Sequence, residues 1–177
     1  MNPTPEPPLS AIRALAPDAI DALVTHYAPR LNGFLRRLGA SAEVAEELVQ
    51  ETFIRLVRHA PTLPDGSRVG AWCFTVARNL WRSHRRWAWL DGTRLLEFAG
   101  LRPAVGFGPD DALTARRTRD RLEAALASLP ESHREVFLLV VGEGLQPQEV
   151  AAALGISPEN ARQRLARARR HLEEALA

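Results

Sequence analysis

Lysine is missing from this chain altogether, so all 23 basic side chains counted as Lys plus Arg are arginines. We read that mainly as the mark of a GC-rich genome, and it excludes no chemistry. The scarcity of cysteine excludes more. Cys73 is the single thiol, which rules out an internal disulfide and a cysteine-cluster zinc site. His26, His59, His84, His133 and His171 show no ligand spacing with Cys73 or with acids, so neither a metal nor a cofactor is expected. No apolar run is long enough to span a bilayer and no signal peptide opens the chain, which predicts a cytoplasmic protein without a membrane segment. Aromatics make up only 6% of residues and no strand-like alternation is visible, which favours an all-α class. No nucleophile–base pair, carboxylate dyad or phosphate loop emerges, so an enzyme is not expected.

The formal net charge is only +2, and what matters is where the charge lies. The first half of Ser41–Ala60 is acidic, whereas Arg78–Arg86 and Arg162–Arg170 are strongly basic. Separate patches of opposite sign point to more than one macromolecular partner. The proline-rich opening MNPTPEPP reads as a disordered leader over 1–8. Helical periodicity then predicts a first domain over 9–91, with short helices at Asp18–Tyr27 and Leu31–Leu38 and a long one at Ser41–Ala60 capped by Ser41. After the turn-rich Pro61–Gly66, another long helix runs from Arg68 towards Trp89. Residues 92–111 read as a flexible linker rich in glycine and proline, and 112–177 as a second helical domain.

The end of that second domain is the most informative stretch. Gln146 to Leu154 is a short amphipathic helix, Gly155 suits a tight turn, Ser157 suits an N-cap and Pro158 the first helical position. On a helical wheel Ala161, Leu165, Ala168, Leu172 and Leu176 share one stripe. Glu159, Asn160, Gln163, Arg167 and Arg170 lie opposite, flanked by Arg162, Arg164 and Arg169. Short polar side chains near the N-terminus followed by arginines suit a helix in a DNA major groove, where amides and guanidinium groups reach base edges and flanking arginines neutralise phosphates.

Two helices of the first domain present further surfaces. In Ser41–Ala60 the wheel puts Val44, Ala45, Leu48, Val49 and Leu56 inward, and Glu43, Glu46, Glu47, Gln50, Ile54 and Val57 outward. Outward aliphatics framed by carboxylates suit a basic, partly apolar protein partner. In Arg68–Trp89 the wheel buries Val69, Trp72, Cys73, Val76 and Leu80, leaving Arg78, Trp81, Arg82, Arg85 and Trp89 opposite, with Asn79 and Arg86 beside them. Arginine interleaved with exposed tryptophan suits a nucleic-acid strand with unstacked bases. Burial of Trp87 and Trp89 remains an equal alternative.

The order VAEELVQETFIRLVR, AWCFTVARNLWRSHRR, a linker, LASLPESHREVFLL and LQPQEVAAALGISPENARQRLARARRHL resembles the extracytoplasmic-function sigma factors of bacterial RNA polymerase. The resemblance spans nearly all of 19–177 apart from the linker. It implies that the acidic helix docks on the β′ clamp of core polymerase through Glu46, Glu47, Leu48, Gln50, Phe53 and Ile54. It implies that the Trp72–Arg86 segment engages and melts the promoter −10 element, with Asn79 lining a pocket for a flipped base and Arg78, Arg82 and Arg85 on the backbone. The terminal helix then reads the −35 element, with Arg162, Gln163, Ala166 and Arg167 nearest the bases. The partners implied are core polymerase (β′ clamp and β subunits), promoter DNA both duplex and melted, and an anti-sigma factor; the linker is expected to thread toward the RNA exit channel.

One departure concerns the recognition helix. Where many relatives have Gly-Thr-Val, this chain has Glu159-Asn160-Ala161; Glu159 near DNA is expected to repel phosphate or to accept from a cytosine amino group, so a −35 sequence does not carry over. The chain stops just after that helix, and no appended sensory domain is expected. Two rivals compete with this reading. A helix-turn-helix regulator acting without polymerase leaves the outward Ile54 and Val57 unexplained, and a sigma mimic is expected to lack the arginine–tryptophan face.

Overall fold

The computed structural model describes residues 7–90 and 111–176, with side chains over 7–86 and 120–176. All regular structure among them is helical, as the composition predicts. The expected leader and linker lie outside the described residues except for their last positions, as do the side chains of Trp87 and Trp89. Two compact units emerge, one within residues 1–91 and one within 92–177.

The first unit contains α1 (Leu9–Arg13), α2 (Pro17–Arg37), α3 (Ala42–His59), a 3-10 turn (Ala60–Thr62) and α4 (Val69–Leu90). Helices α2, α3 and α4 pack on one another in all three pairings. Their shared core includes Leu23, Leu31, Phe34, Leu35, Leu48, Leu56, Phe74 and Ala77, with the Phe34 and Phe74 rings edge-to-face at 5.4 Å. Arg13 of α1 reaches across the chain: its Nε donates to the Leu63 carbonyl at 2.9 Å and its guanidinium pairs with Asp65 at 2.7 Å. That pins the turn between α3 and α4.

The two helices expected at 18–27 and 31–38 are one. Helix α2 runs unbroken through Pro29. An internal proline deletes one backbone bond and costs about 3 kcal/mol. Here Pro29 faces solvent, while Leu23 before it and Leu31, Phe34 and Leu35 after it are buried in the same core. Burying each such side chain is worth about 1.5–3 kcal/mol, so packing outweighs the local propensity. The Ser41 cap is as expected, with its hydroxyl accepting from the Val44 amide at 3.3 Å.

The second unit contains α5 (Asp111–Ser128), α6 (Glu131–Phe137) continuing into a π turn (Leu138–Gly142), α7 (Pro147–Leu154) and α8 (Pro158–Leu176). Helix α8 is central and packs on α5, α6 and α7. Ala161, Leu165, Ala168 and Leu172 are buried as the wheel predicts, and Leu176 packs against the cluster formed by Ala125, Leu126, Leu129, Ala168 and Leu172. The Arg134 guanidinium donates to the Leu129 carbonyl at 2.8 Å and to that of Ala127, closing the C-terminal end of α5 over the start of α6.

At Gly70 the first turn of α4 lies directly against the Tyr27 ring of α2. A Cβ built there would lie 2.3 Å from the Tyr27 hydroxyl oxygen and 2.6 Å from Cζ of the same ring. Gly70→Ala should therefore force the whole Tyr27 ring aside and destabilise the first unit by about 1–3 kcal/mol, the usual range for overpacking. Urea unfolding measures this, and Tyr27→Leu in the Gly70→Ala background should recover part of the loss.

Candidate docking face and nucleic-acid interfaces

Helix α3 separates its faces cleanly because Ala45, Leu48, Val49, Thr52 and Leu56 share the inward stripe. Thr52 looks polar in the sequence, yet its hydroxyl donates to the Leu48 carbonyl at 2.7 Å and the residue is buried. The opposite face exposes Glu46, Glu47, Gln50, Ile54 and Val57, with Phe53 half-buried beside them. Ile54 is 46% and Val57 39% exposed, so this face presents two aliphatic side chains to solvent among its acids. Leu48, expected at the contact, is a core residue and cannot take part directly. It lies one turn from Ala45 and Thr52, squarely on the inward stripe.

Helix α4 is rotated relative to the expected wheel. Its inward line is Val69, Cys73, Phe74, Ala77 and Trp81, while Trp72, Val76 and Leu80 are only half-buried. Phe74 sets the rotation by packing on Phe34 and Tyr27 of α2. Trp81 lies about 20° from Phe74 on the wheel at ~100° per residue. Trp81 is therefore 3% exposed, not an outward platform for bases. Among the described residues its indole N–H has no hydrogen-bond partner. The His84 ring stacks on it with centroids 5.9 Å apart, and the Arg85 Cζ lies 5.9 Å from its centroid.

Arg78 also lies inward of its expected place. It sits beside Phe74 on the edge of the inward stripe and is 7% exposed, so it does not present its charge to a strand. Its guanidinium instead donates to Asn79 Oδ1 at 3.3 Å. That bond directs the Asn79 side chain. Asn79, Arg82 and Arg86 are exposed and recur at one helical face, with Arg85 half-buried over Trp81.

The helix-turn-helix is built as its residues predict. Gln146 caps α7, and the Glu149 carboxylate accepts from the Gln146 backbone N–H at 2.7 Å. Gly155 takes φ 65°, a left-handed conformation that a side chain resists, and the Ile156 N–H returns to the Ala151 carbonyl at 3.0 Å. Ser157 Oγ accepts from the Asn160 amide at 3.2 Å and starts α8. All of the expected outward residues, Asn160, Arg162, Gln163, Ala166, Arg167 and Arg170, are exposed. Two further features come from the structure. The Glu159 carboxylate accepts from Arg162 at 3.2 Å and from Gln163 at 3.4 Å, a contact legible in the i, i+3 and i, i+4 spacing. His133 of α6 stands near Arg164, Arg167 and His171 of α8, while His171 Nε2 lies 2.8 Å from Ser128 Oγ. No local spacing reveals that cluster, since its members are far apart in the chain.

Residues 23–90 match the family described as sigma-70 region 2, and residues 119–172 that described as sigma-70 region 4. The RNA polymerase sigma factor CarQ of Myxococcus xanthus is 35% identical over 164 residues, covering 91% of each chain. The sigma factor EcfG of Rhodopseudomonas palustris is 33% identical over 148 residues, covering 84% of this chain and 80% of its own. The chain belongs to the extracytoplasmic-function sigma factors of the sigma-70 family. As such it is a non-catalytic protein that initiates transcription with RNA polymerase. Among solved structures, the sigma factor RpoE of Bartonella quintana, in complex with the anti-sigma factor NepR, superposes with a TM-score of 0.70 at 25% identity, covering 88% of this chain and 95% of its own. CnrH, in complex with the cytosolic domain of CnrY, shares the fold at a TM-score of 0.69 and 23% identity, covering 95% of this chain and 94% of its own. Among the described residues no helix is long and apolar enough to cross a membrane.

His133 gives the sigma factor a pH-dependent element. Burial first, then the charges of Arg167, Arg164 and His171, hold its imidazole below the usual value of 6.5. The unfolded chain therefore takes up a proton near pH 6.5 that the folded unit resists. Stability present at neutral pH should be lost as pH falls through that value toward the lower folded pKa. Hydrogen exchange of α6 and α8 amides between pH 7.5 and 5.5 should show protection falling, and His133→Gln should flatten the dependence.

Proposed function

We propose that three helix faces divide promoter engagement among them, and that α3 is the one that recruits core polymerase. The exposed aliphatic pair Ile54 and Val57, framed by Glu46, Glu47 and Gln50, carries this reading. A partly apolar, basic partner surface would bury these two side chains and pair with the acids around them. The partner is the clamp of the β′ subunit, with Phe53 at the margin. A helix-turn-helix regulator working without polymerase leaves this patch without a role.

Asn79, Arg82, Arg85 and Arg86 on α4 take the melted −10 strand, with Asn79 accepting a base turned out of the stack. Unstacking a base costs a few kcal/mol, which a pocket of polar groups offsets. Arg78 acts as a positioning residue for Asn79 through their hydrogen bond. Asn160, Arg162, Gln163, Ala166 and Arg167 on α8 face the −35 duplex, and Arg170 holds phosphate. RNA polymerase and its promoters place the site of action in the cytoplasm. By likeness to RpoE of Bartonella quintana, a separate anti-sigma factor is the expected regulator.

Replacing Ile54 with Glu should weaken core-polymerase binding at least about tenfold, as loss of a buried anchor does. Because Ile54 is exposed in the free protein, the melting temperature should hardly change. Competition for core by the variant at wild-type strength would show that this face is not the docking surface. Asn79→Ala should reduce open-complex formation more than initial promoter binding, and a pre-melted bubble template should rescue it in part. Equal defects on both templates would leave Asn79 as a backbone contact only.

A further inference from the structure

Between Pro158 and Arg170, Glu159 is the only acid among five arginines. It stands in the first turn of α8, on the face that carries Asn160, Gln163 and Arg167. A carboxylate there repels the phosphates that the arginines attract. Its contribution to folding is small, because Glu159 and Arg162 are both largely exposed and such pairs are screened by solvent. What its geometry does achieve is specific. One carboxylate oxygen takes an Arg162 N–H at 3.2 Å, and the other takes the Gln163 amide at 3.4 Å. These are two of the donors that α8 offers to base edges.

A carboxylate only accepts. In the major groove cytosine N4 and adenine N6 are donors, whereas guanine and thymine present acceptors alone. A base with an amino group can thus replace Arg162 and Gln163 as the partner of Glu159 and release both for contacts of their own. A guanine or thymine at that point repels the carboxylate, and Arg162 and Gln163 stay tied to it. We propose that Glu159 is a specificity-determining residue of α8. It selects cytosine or adenine on the strand it meets, and it withholds Arg162 and Gln163 from sequences that lack one. This rests on the reading of α8 as the −35 helix.

The test is a selection of randomised −35 elements by the holoenzyme, carried out with wild type, Glu159→Ala and Glu159→Gln. Wild type should enrich cytosine or adenine at one position by roughly tenfold, the lower end of what one base contact supplies. Glu159→Ala should reduce that preference to under about twofold and broaden the neighbouring positions. Glu159→Gln, whose amide pairs bidentately with adenine, should move the preference to adenine. Glu159→Ala should also bind non-specific duplex more tightly, because a repelling charge is gone. A role limited to the helix start would lower the melting temperature and leave the selected motif unchanged. A wild-type motif retained at every position in Glu159→Ala overturns the proposal alone. A wild type that returns no −35 motif overturns the reading of α8 and this proposal with it.

Discussion

Four side chains of α8, namely Ala161, Leu165, Ala168 and Leu172, are buried against α5, α6 and α7, and the C-terminal unit is organised around that stripe. The two alanines let neighbouring helices approach closely, while each leucine contributes about 1.5–3 kcal/mol by leaving water. With one side of α8 committed inward, its polar residues have only one direction left. The arginines and amides face outward because the alanines and leucines face inward. The same constraint acts on α3, where Ala45, Leu48, Val49, Thr52 and Leu56 turn Ile54 and the acids toward solvent.

Helix α4 shows how narrow the margin is. A rotation of a few tens of degrees decides whether Trp81 and Arg78 belong to the core or to the surface. Phe74 sets that rotation by meeting Phe34 and Tyr27 across the interface with α2. The outward face of α4 is therefore smaller and more polar than the residue types suggest. Asn79, Arg82 and Arg86 remain outward, while Trp81 supports Arg85 and His84 from within.

Much of this was legible in the chain itself. The caps at Ser41 and Ser157, the left-handed Gly155 and the apolar stripe of α8 follow from local rules, because each depends on residues within one or two turns. The outward character of Glu46, Glu47, Gln50 and Ile54 followed from the same periodicity. What escaped depended on tertiary packing. Pro29 reads as a break until the core on both sides of it is seen to hold α2 together. Trp81 reads as exposed until Phe74 fixes the helix rotation. The His133 cluster joins α6 to α8 across many residues, and no periodicity announces such a meeting.

The division of labour along α8 has a bearing on how such proteins diverge. Buried and outward positions interleave along the 19 residues of α8, and none of Asn160, Arg162, Gln163, Ala166, Arg167 or Arg170 is buried. Surface substitutions away from special features usually change stability by no more than about 0.5 kcal/mol. New side chains can therefore be tried on this face one at a time while the scaffold stays folded. If α8 reads promoters as proposed, a lineage can in this way acquire a different set of target genes without passing through an unstable ancestor.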